Sequence, residues 1–193
     1  MRLLLVALLM MFASVASSSE ARADVEIDGQ QYASSLKLDG ALLQLNGAAT
    51  KYSKLGVRDY SVAVYVSAKG STAEALLAAP GPKRIAFKFL RSMKTDSLRV
   101  LTQGVETNLA RADYIKSLVG VMRLGSLLGK HPSLAVGDSL TIDYFPGVGT
   151  FVSLNGRREA EPIKEPEFFQ AMLLIWVGAR PVDAQMRAAI LGA

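Results

Sequence analysis

The chain has 193 residues, half of them hydrophobic and a fifth charged, with a formal net charge of +5. It has one histidine, His131, and no cysteine, which excludes disulfides, thiol chemistry, zinc–cysteine sites and histidine metal clusters. The positive charge is scattered rather than gathered into a run, so no nucleic-acid partner is expected.

The first residues carry an address. Arg2 precedes a nearly unbroken apolar run from Leu3 to Ala16, interrupted by Ser14, and a polar stretch ends in Ala21-Arg22-Ala23. This is the three-part secretory pattern with a small-x-small cleavage site. The run falls short of the ~20 apolar residues of a membrane-spanning helix; an uncleaved anchor is the alternative. The expectation is a signal peptide over 1–23 and a periplasmic protein starting at Asp24, with one domain over 24–193. No later stretch is long and apolar enough to span a membrane.

In chain order, Val25–Ile27 and Leu42–Leu45 are short strand candidates. Asp59–Ser67 is the clearest strand, with Tyr60, Val62, Val64 and Val66 on one face and Asp59, Ser61, Ala63 and Tyr65 on the other. Thr72–Leu77 reads as a short helix stopped near Pro80-Gly81-Pro82. Arg84–Leu90 is a strand with Ile85, Phe87 and Phe89 on one face. Asp96 is placed to cap a helical region with Leu98, Leu101, Val105 and Leu109 at helical spacing. A second run, Tyr114–Leu128, ends at Gly129 and Pro132. Leu140, Ile142 and Tyr144 alternate in a strand. Pro146-Gly147-Val148-Gly149 turns the chain, Phe151–Leu154 returns, and Asn155-Gly156 turns it again. Two closing helices, Glu167–Val177 and Val182–Leu191, are split by Gly178-Ala179-Arg180-Pro181. Strands cluster instead of alternating with helices, which predicts an α+β fold: an antiparallel sheet with helices over one face.

Familiar catalytic arrangements are missing. There is no Gly-x-Ser-x-Gly elbow, and Gly147/Gly149 lack the Gly-Lys-Ser/Thr of a phosphate loop. His131, before Pro132, reads as a solvated helix-end residue, and Glu159, Glu161, Glu165 and Glu167 as solvated surface. Trp176, amid Met172, Leu173 and Ile175, reads as core packing, with a ligand-cavity wall as the alternative. No cofactor is expected.

Four segments together carry a family resemblance. They are Leu45-Asn46-Gly47-Ala48; Ser61-Val62-Ala63-Val64-Tyr65-Val66; Gly137-Asp138 with Tyr144-Phe145-Pro146-Gly147 and Gly149-Thr150; and Phe168-Phe169 through Ile175-Trp176-Val177-Gly178-Ala179-Arg180-Pro181-Val182-Asp183. In this order they resemble the bacterial chalcone isomerase-like domain. The resemblance implies an open-faced sandwich, a large antiparallel β-sheet covered on one face by helices, with a cleft between the layers.

In the plant enzymes of this fold a phenolate adds to a conjugated double bond of the same molecule. Holding the reacting ends together and stabilising the developing enolate suffice. The polar set that does so is only partly matched here. The family arginine falls on Lys51 when the alignment is anchored on Leu45-Asn46-Gly47-Ala48, and near Arg58 when anchored on Tyr65. Arg58 shares strand parity with Tyr60, Val62 and Val64, which would turn it toward the cleft. The strand threonine falls on Tyr60, the helix tyrosine on Leu101, the asparagine on Asn108 and the late-helix hydroxyl on Ile175. Taken alone, Lys51 and Arg58 read as solvated charges and Asn108 as a helix-face residue. The resemblance therefore implies a non-catalytic binder of a fatty acid or other small apolar or amphiphilic ligand. Lys51, Arg58, Tyr60, Leu101, Asn108, Ile175 and Trp176 are the candidate ligand-binding residues. The alternatives are an intramolecular lyase acting on flavonoid-like substrates and a structural or partner-binding envelope protein.

Overall fold

The computed structural model describes residues 24–95 and 99–192, and of residues 99–103 the backbone alone. Seven strands form one antiparallel sheet. Across it they run β11 (Arg157–Arg158), β10 (Gly149–Leu154), β9 (Ser139–Phe145), β6 (Lys83–Phe89), β5 (Arg58–Val66), β4 (Ala41–Tyr52) and β3 (Ser35–Leu38). Two small antiparallel pairs stand apart: β1 (Asp24–Ile27) with β2 (Gln30–Ala33), and β7 (Met93–Lys94) with β8 (Ser133–Leu134). The helices are α1 (Ala73–Ala78), α2 (Arg99–Asn108), α3 (Arg111–Gly129), α4 (Pro166–Val177) and α5 (Ala184–Leu191). This is the expected α+β open-faced sandwich.

Period-two alternation sorts the sheet into two apolar faces. Tyr60, Val62, Val64 and Val66 of β5 join Ile85, Phe87 and Phe89 of β6 and Leu140 and Ile142 of β9 in the core shared with the helices. Ala63 and Tyr65 belong to a smaller cluster on the opposite face, with Leu43, Leu45 and Phe145. Ile27 and Tyr32 of the β1–β2 hairpin pack against that cluster. The strand with the clean alternation is thus buried on both sides: its residues from Tyr60 to Val66 are all buried.

The helical layer is organised around α4. From Phe168 to Val177 every residue but Gln170 is buried, and a helix apolar all round belongs inside a core. Pro166 stands in its first turn, where the missing N–H costs no hydrogen bond. α3 crosses α4 at Gly120, where a Cβ would come within 2.6 Å of the Phe168 ring. Gly149 has a left-handed φ of 125°, and a Cβ there would strike the Ile163 carbonyl. That close approach lets Thr150 and Ile163 exchange backbone hydrogen bonds of 2.7 and 2.8 Å at the far edge of the sheet.

Three expectations need correction. The short strand at Leu42–Leu45 is the start of a twelve-residue strand, β4. A register shift between Leu45 and Gly47 leaves Asn46 out of the β4–β5 pairing. Its side chain takes the Gly70 N–H at 2.8 Å and donates to the Ile190 carbonyl at 2.7 Å. His131 is only partly solvated, because Glu159 folds back to it: the Glu159 N–H bonds the Val152 carbonyl and its carboxylate lies 3.3 Å from His131 Nε2. The Glu159 side chain is accordingly only 8% exposed, so it leaves the solvated acidic cluster. Asp96, read as a helix cap, lies outside the described residues.

Candidate ligand-binding site

β4 and β5 set the site. Lys51 pairs directly opposite Tyr60, and Ala49 opposite Val62, all on the helix-facing side. Tyr60 is buried against Phe87 and Phe89, with ring centroids 5.9 and 6.5 Å away. Trp176 reaches down from α4 and meets Phe87 edge-on at 5.1 Å. The region is an apolar aromatic nest with two polar atoms inside it. Neither the Tyr60 hydroxyl nor the Trp176 Nε1 has a hydrogen-bond partner, although both are fully buried.

Burial pushes the Tyr60 phenol up to about 12. The neighbouring Trp176 indole N–H is the next largest influence and draws it down, although the pair does not meet hydrogen-bond geometry, while Asp59 and Asp183 each push it up by less. Tyr60 is therefore a neutral donor at physiological pH and no base. The indole N–H is a donor only. Two donors within apolar walls are complementary to an acceptor oxygen.

Lys51 stands at the edge of this nest, about a quarter exposed, with its Nζ 3.0 Å from the Asp183 Oδ2. Asp183 also caps α5: its Oδ1 accepts from the Gln185 and Met186 amides at 2.9 and 3.2 Å. Burial pushes its carboxyl up, but Lys51 and the two amides outweigh that and hold it below its ordinary value. An ammonium has three donors, and Asp183 takes one.

The remaining candidates have other surroundings. Arg58 pairs with Tyr52 although Tyr60 pairs with Lys51, so one extra residue, Asp59, lies between them. That bulge reverses the parity that pointed Arg58 at the cleft. Arg58 is exposed and donates to the Asp28 carbonyl of the β1–β2 turn at 3.0 Å, on the opposite side of the sheet. Asn108 is engaged by the α4–α5 loop. Its Nδ2 donates to the Arg180 carbonyl at 2.7 Å and its Oδ1 accepts the Arg180 N–H at 2.8 Å. Ile175 is fully buried, 3.3 Å from where a Cβ on Gly104 would sit. The side chain of Leu101 lies outside the described residues. Lys51, Tyr60 and Trp176 thus share one neighbourhood; Asn108 ties α2 to the α4–α5 loop, Ile175 packs α4 against α2, and Arg58 stands apart.

Sequence reasoning missed Asp183 as a site residue. Its signal was available: an Asp directly before the Ala184–Leu191 helix is a preferred N-cap. Its tie to Lys51, 132 positions away, was not.

A curled antiparallel sheet with helices stacked over one face is the architecture of the chalcone isomerase-like class of fold. Residues 24–192 match the chalcone isomerase-like family, and the chain belongs to it. The crystal structure of an Arabidopsis thaliana fatty-acid binding protein is similar in fold, with a TM-score of 0.68 and 16% sequence identity, over 88% of this chain and 96% of that one. No curated protein matches the chain in sequence.

Proposed function

We propose that this protein is a non-catalytic binder of a fatty acid or a similar single-chain amphiphile, held between sheet and helices with its oxygen end toward Tyr60, Trp176 and Lys51. One observation carries the reading: two neutral donors, the Tyr60 hydroxyl and the Trp176 indole N–H, are buried without partners in an apolar nest beside a cation. A buried polar group without a partner costs about 1–3 kcal/mol, and an acceptor oxygen would remove that cost. The similar Arabidopsis structure being a fatty-acid binding protein supports the same ligand class. Export to the periplasm, with cleavage after Ala23, is part of the proposal. It rests on the Arg2, Leu3–Ala16 and Ala21-Arg22-Ala23 pattern, which lies outside the family match at 24–192.

Lyase chemistry finds little support. Ile175 stands where the resemblance places a hydroxyl of the plant enzymes, the bulkier Tyr60 where it places a threonine, Asn108 is engaged by Arg180, and Lys51 is a point charge without the guanidinium fork. Removing one oxyanion donor costs ~10²–10³ in rate, so an absorbance assay on a chalcone should show no turnover above the spontaneous reaction. Native mass spectrometry of the purified protein tests the binder reading. A co-purified carboxylic acid of one chain length class is the expected result; protein that stays empty and takes up no added dodecanoate would refute it.

A further inference from the structure

A second feature lies apart from the aromatic nest. α3 presents Ile115, Val119 and Met122 to solvent at helical spacing, 54%, 51% and 71% exposed. Gly120, on the neighbouring face, seats α3 on Phe168 of α4, so this stripe points away from the core. Between α3, β10 and the segment 160–163 runs a groove of about 580 Å³. Val119, Met122, Leu127, Val152 and Ile163 make it predominantly apolar. Arg123 and Lys130 stand on its α3 side, and Glu161 on the opposite lip. Arg123 reaches across toward the Pro162 carbonyl at 3.5 Å. Thr150, 1% exposed, also lines the groove, and its hydroxyl is buried without a partner.

The volume falls in the range of small-ligand pockets, and an apolar cleft with a few placed polar groups is the usual design of one. The polar side chains here are two cations, one anion, the exposed Ser126 and the unpaired Thr150 hydroxyl. Their balance favours an anionic head, and the apolar walls favour a hydrocarbon chain. We propose that the groove between α3 and β10 is a second binding site, for a free single-chain amphiphile with an anionic head group. The chain lies along Val119, Met122 and Ile163, the head group meets Arg123 and Lys130, and the Thr150 hydroxyl donates to an oxygen of the ligand. Because Trp176 belongs to the other nest and not to these walls, the two sites answer to different variants.

The test is titration calorimetry of the full chain with dodecanoate and with 1-dodecanol, on Met122→Glu, on the double variant Arg123→Gln/Lys130→Gln, and on Lys51→Ala. Met122 is so exposed that Met122→Glu should fold normally, which circular dichroism checks. The expected result is a dodecanoate site weakened about tenfold or more by Met122→Glu, and weakened by Arg123→Gln/Lys130→Gln for the acid but not for the alcohol. That site should be unmoved in Lys51→Ala. If Lys51→Ala removes all dodecanoate binding and Met122→Glu none, the groove site is overturned and the nest reading stands. If Met122→Glu abolishes flotation with anionic phospholipid vesicles while the native chain binds no free dodecanoate, α3 serves a membrane surface and the proposal is overturned in that direction.

Discussion

Tyr60 is the residue on which the proposed site turns. Its ring is needed by the core, since it packs on Phe87 and Phe89, while its hydroxyl has no partner. Tyr60→Phe keeps the ring and deletes the orphaned oxygen. The unliganded variant should be as stable as the native chain or slightly more so in urea denaturation, because an unsatisfied buried group is removed. Dodecanoate binding should nevertheless weaken, by about tenfold for one hydrogen bond to a charged group. Loss of stability with unchanged binding would assign the hydroxyl a structural role. Asp183 provides a second test at this scale. Its folded pKa is lowered, so its contribution to stability is present above the ordinary carboxylate value of about 3.9 and is lost as pH falls through the lowered one. Asp183→Asn keeps a good cap but removes the charge facing Lys51. Urea midpoints from pH 7 to pH 3 should show the native chain more stable than the variant at neutral pH, with the gap closing on acidification. A gap that stays constant would mean that the Lys51–Asp183 pair adds nothing to stability.

At the scale of elements, the family's closing segment is a set of ties. Asn108 of α2 holds the Arg180 backbone from both sides, and a Cβ on Gly178 would strike the Asn108 side chain. The Val182 N–H returns to the Ile175 carbonyl at 2.9 Å, and Asp183 starts α5. Asn46 takes the Ile190 carbonyl at the other end of α5, and a Cβ on Gly47 would collide with the backbone of Ala189 and Ile190. Asn108→Ala should therefore destabilise the fold by about 1–3 kcal/mol, since it removes two hydrogen bonds to the Arg180 backbone worth about 0.5–1.5 kcal/mol each. Chemical denaturation measures it, and a change under 0.5 kcal/mol, the size of an ordinary surface substitution, would contradict the tie. These ties also mark the limit of what the sequence discloses. β5, β6, β9, the Pro146–Gly149 turn, α4 and α5 were legible because each has a local signature: alternation, a Gly-rich turn or a continuous apolar run. The second half of β4 was not. Asn46-Gly47-Ala48-Ala49-Thr50 has low strand propensity, and its extended form is imposed by β5 on one side and by α5 above it.

For the molecule as a whole, the architecture was readable and the site only in part. Lys51, Tyr60 and Trp176 are candidates from motif position, and they share one neighbourhood because the β4–β5 register sets Lys51 against Tyr60 while Trp176 packs on Phe87 beside it. Arg58 was misplaced by the Asp59 bulge, which alternation counting cannot detect. Asn108 was identified with the family asparagine as a candidate ligand-binding residue, yet its amide is taken up by a loop 72 positions away. The groove beside α3 left a trace in the sequence as Ile115, Val119 and Met122 at helical spacing, which reads as a buried face until α4 is seen to pack on the neighbouring side at Gly120.

The central claim, a carboxylate held at Lys51 beside Tyr60 and Trp176, is open to one direct measurement. Trp176 is the only tryptophan, so its fluorescence reports on this nest alone. Titration of the native chain and of Lys51→Ala with dodecanoate and 1-dodecanol, followed by that fluorescence, separates the charge from the chain. A charged hydrogen bond contributes about 1.5–3 kcal/mol, so dodecanoate affinity should fall by roughly ten- to a hundredfold in Lys51→Ala while dodecanol affinity changes little. A Trp176 signal that saturates at the same concentrations of acid in both proteins, or that never responds to either ligand, would contradict the claim.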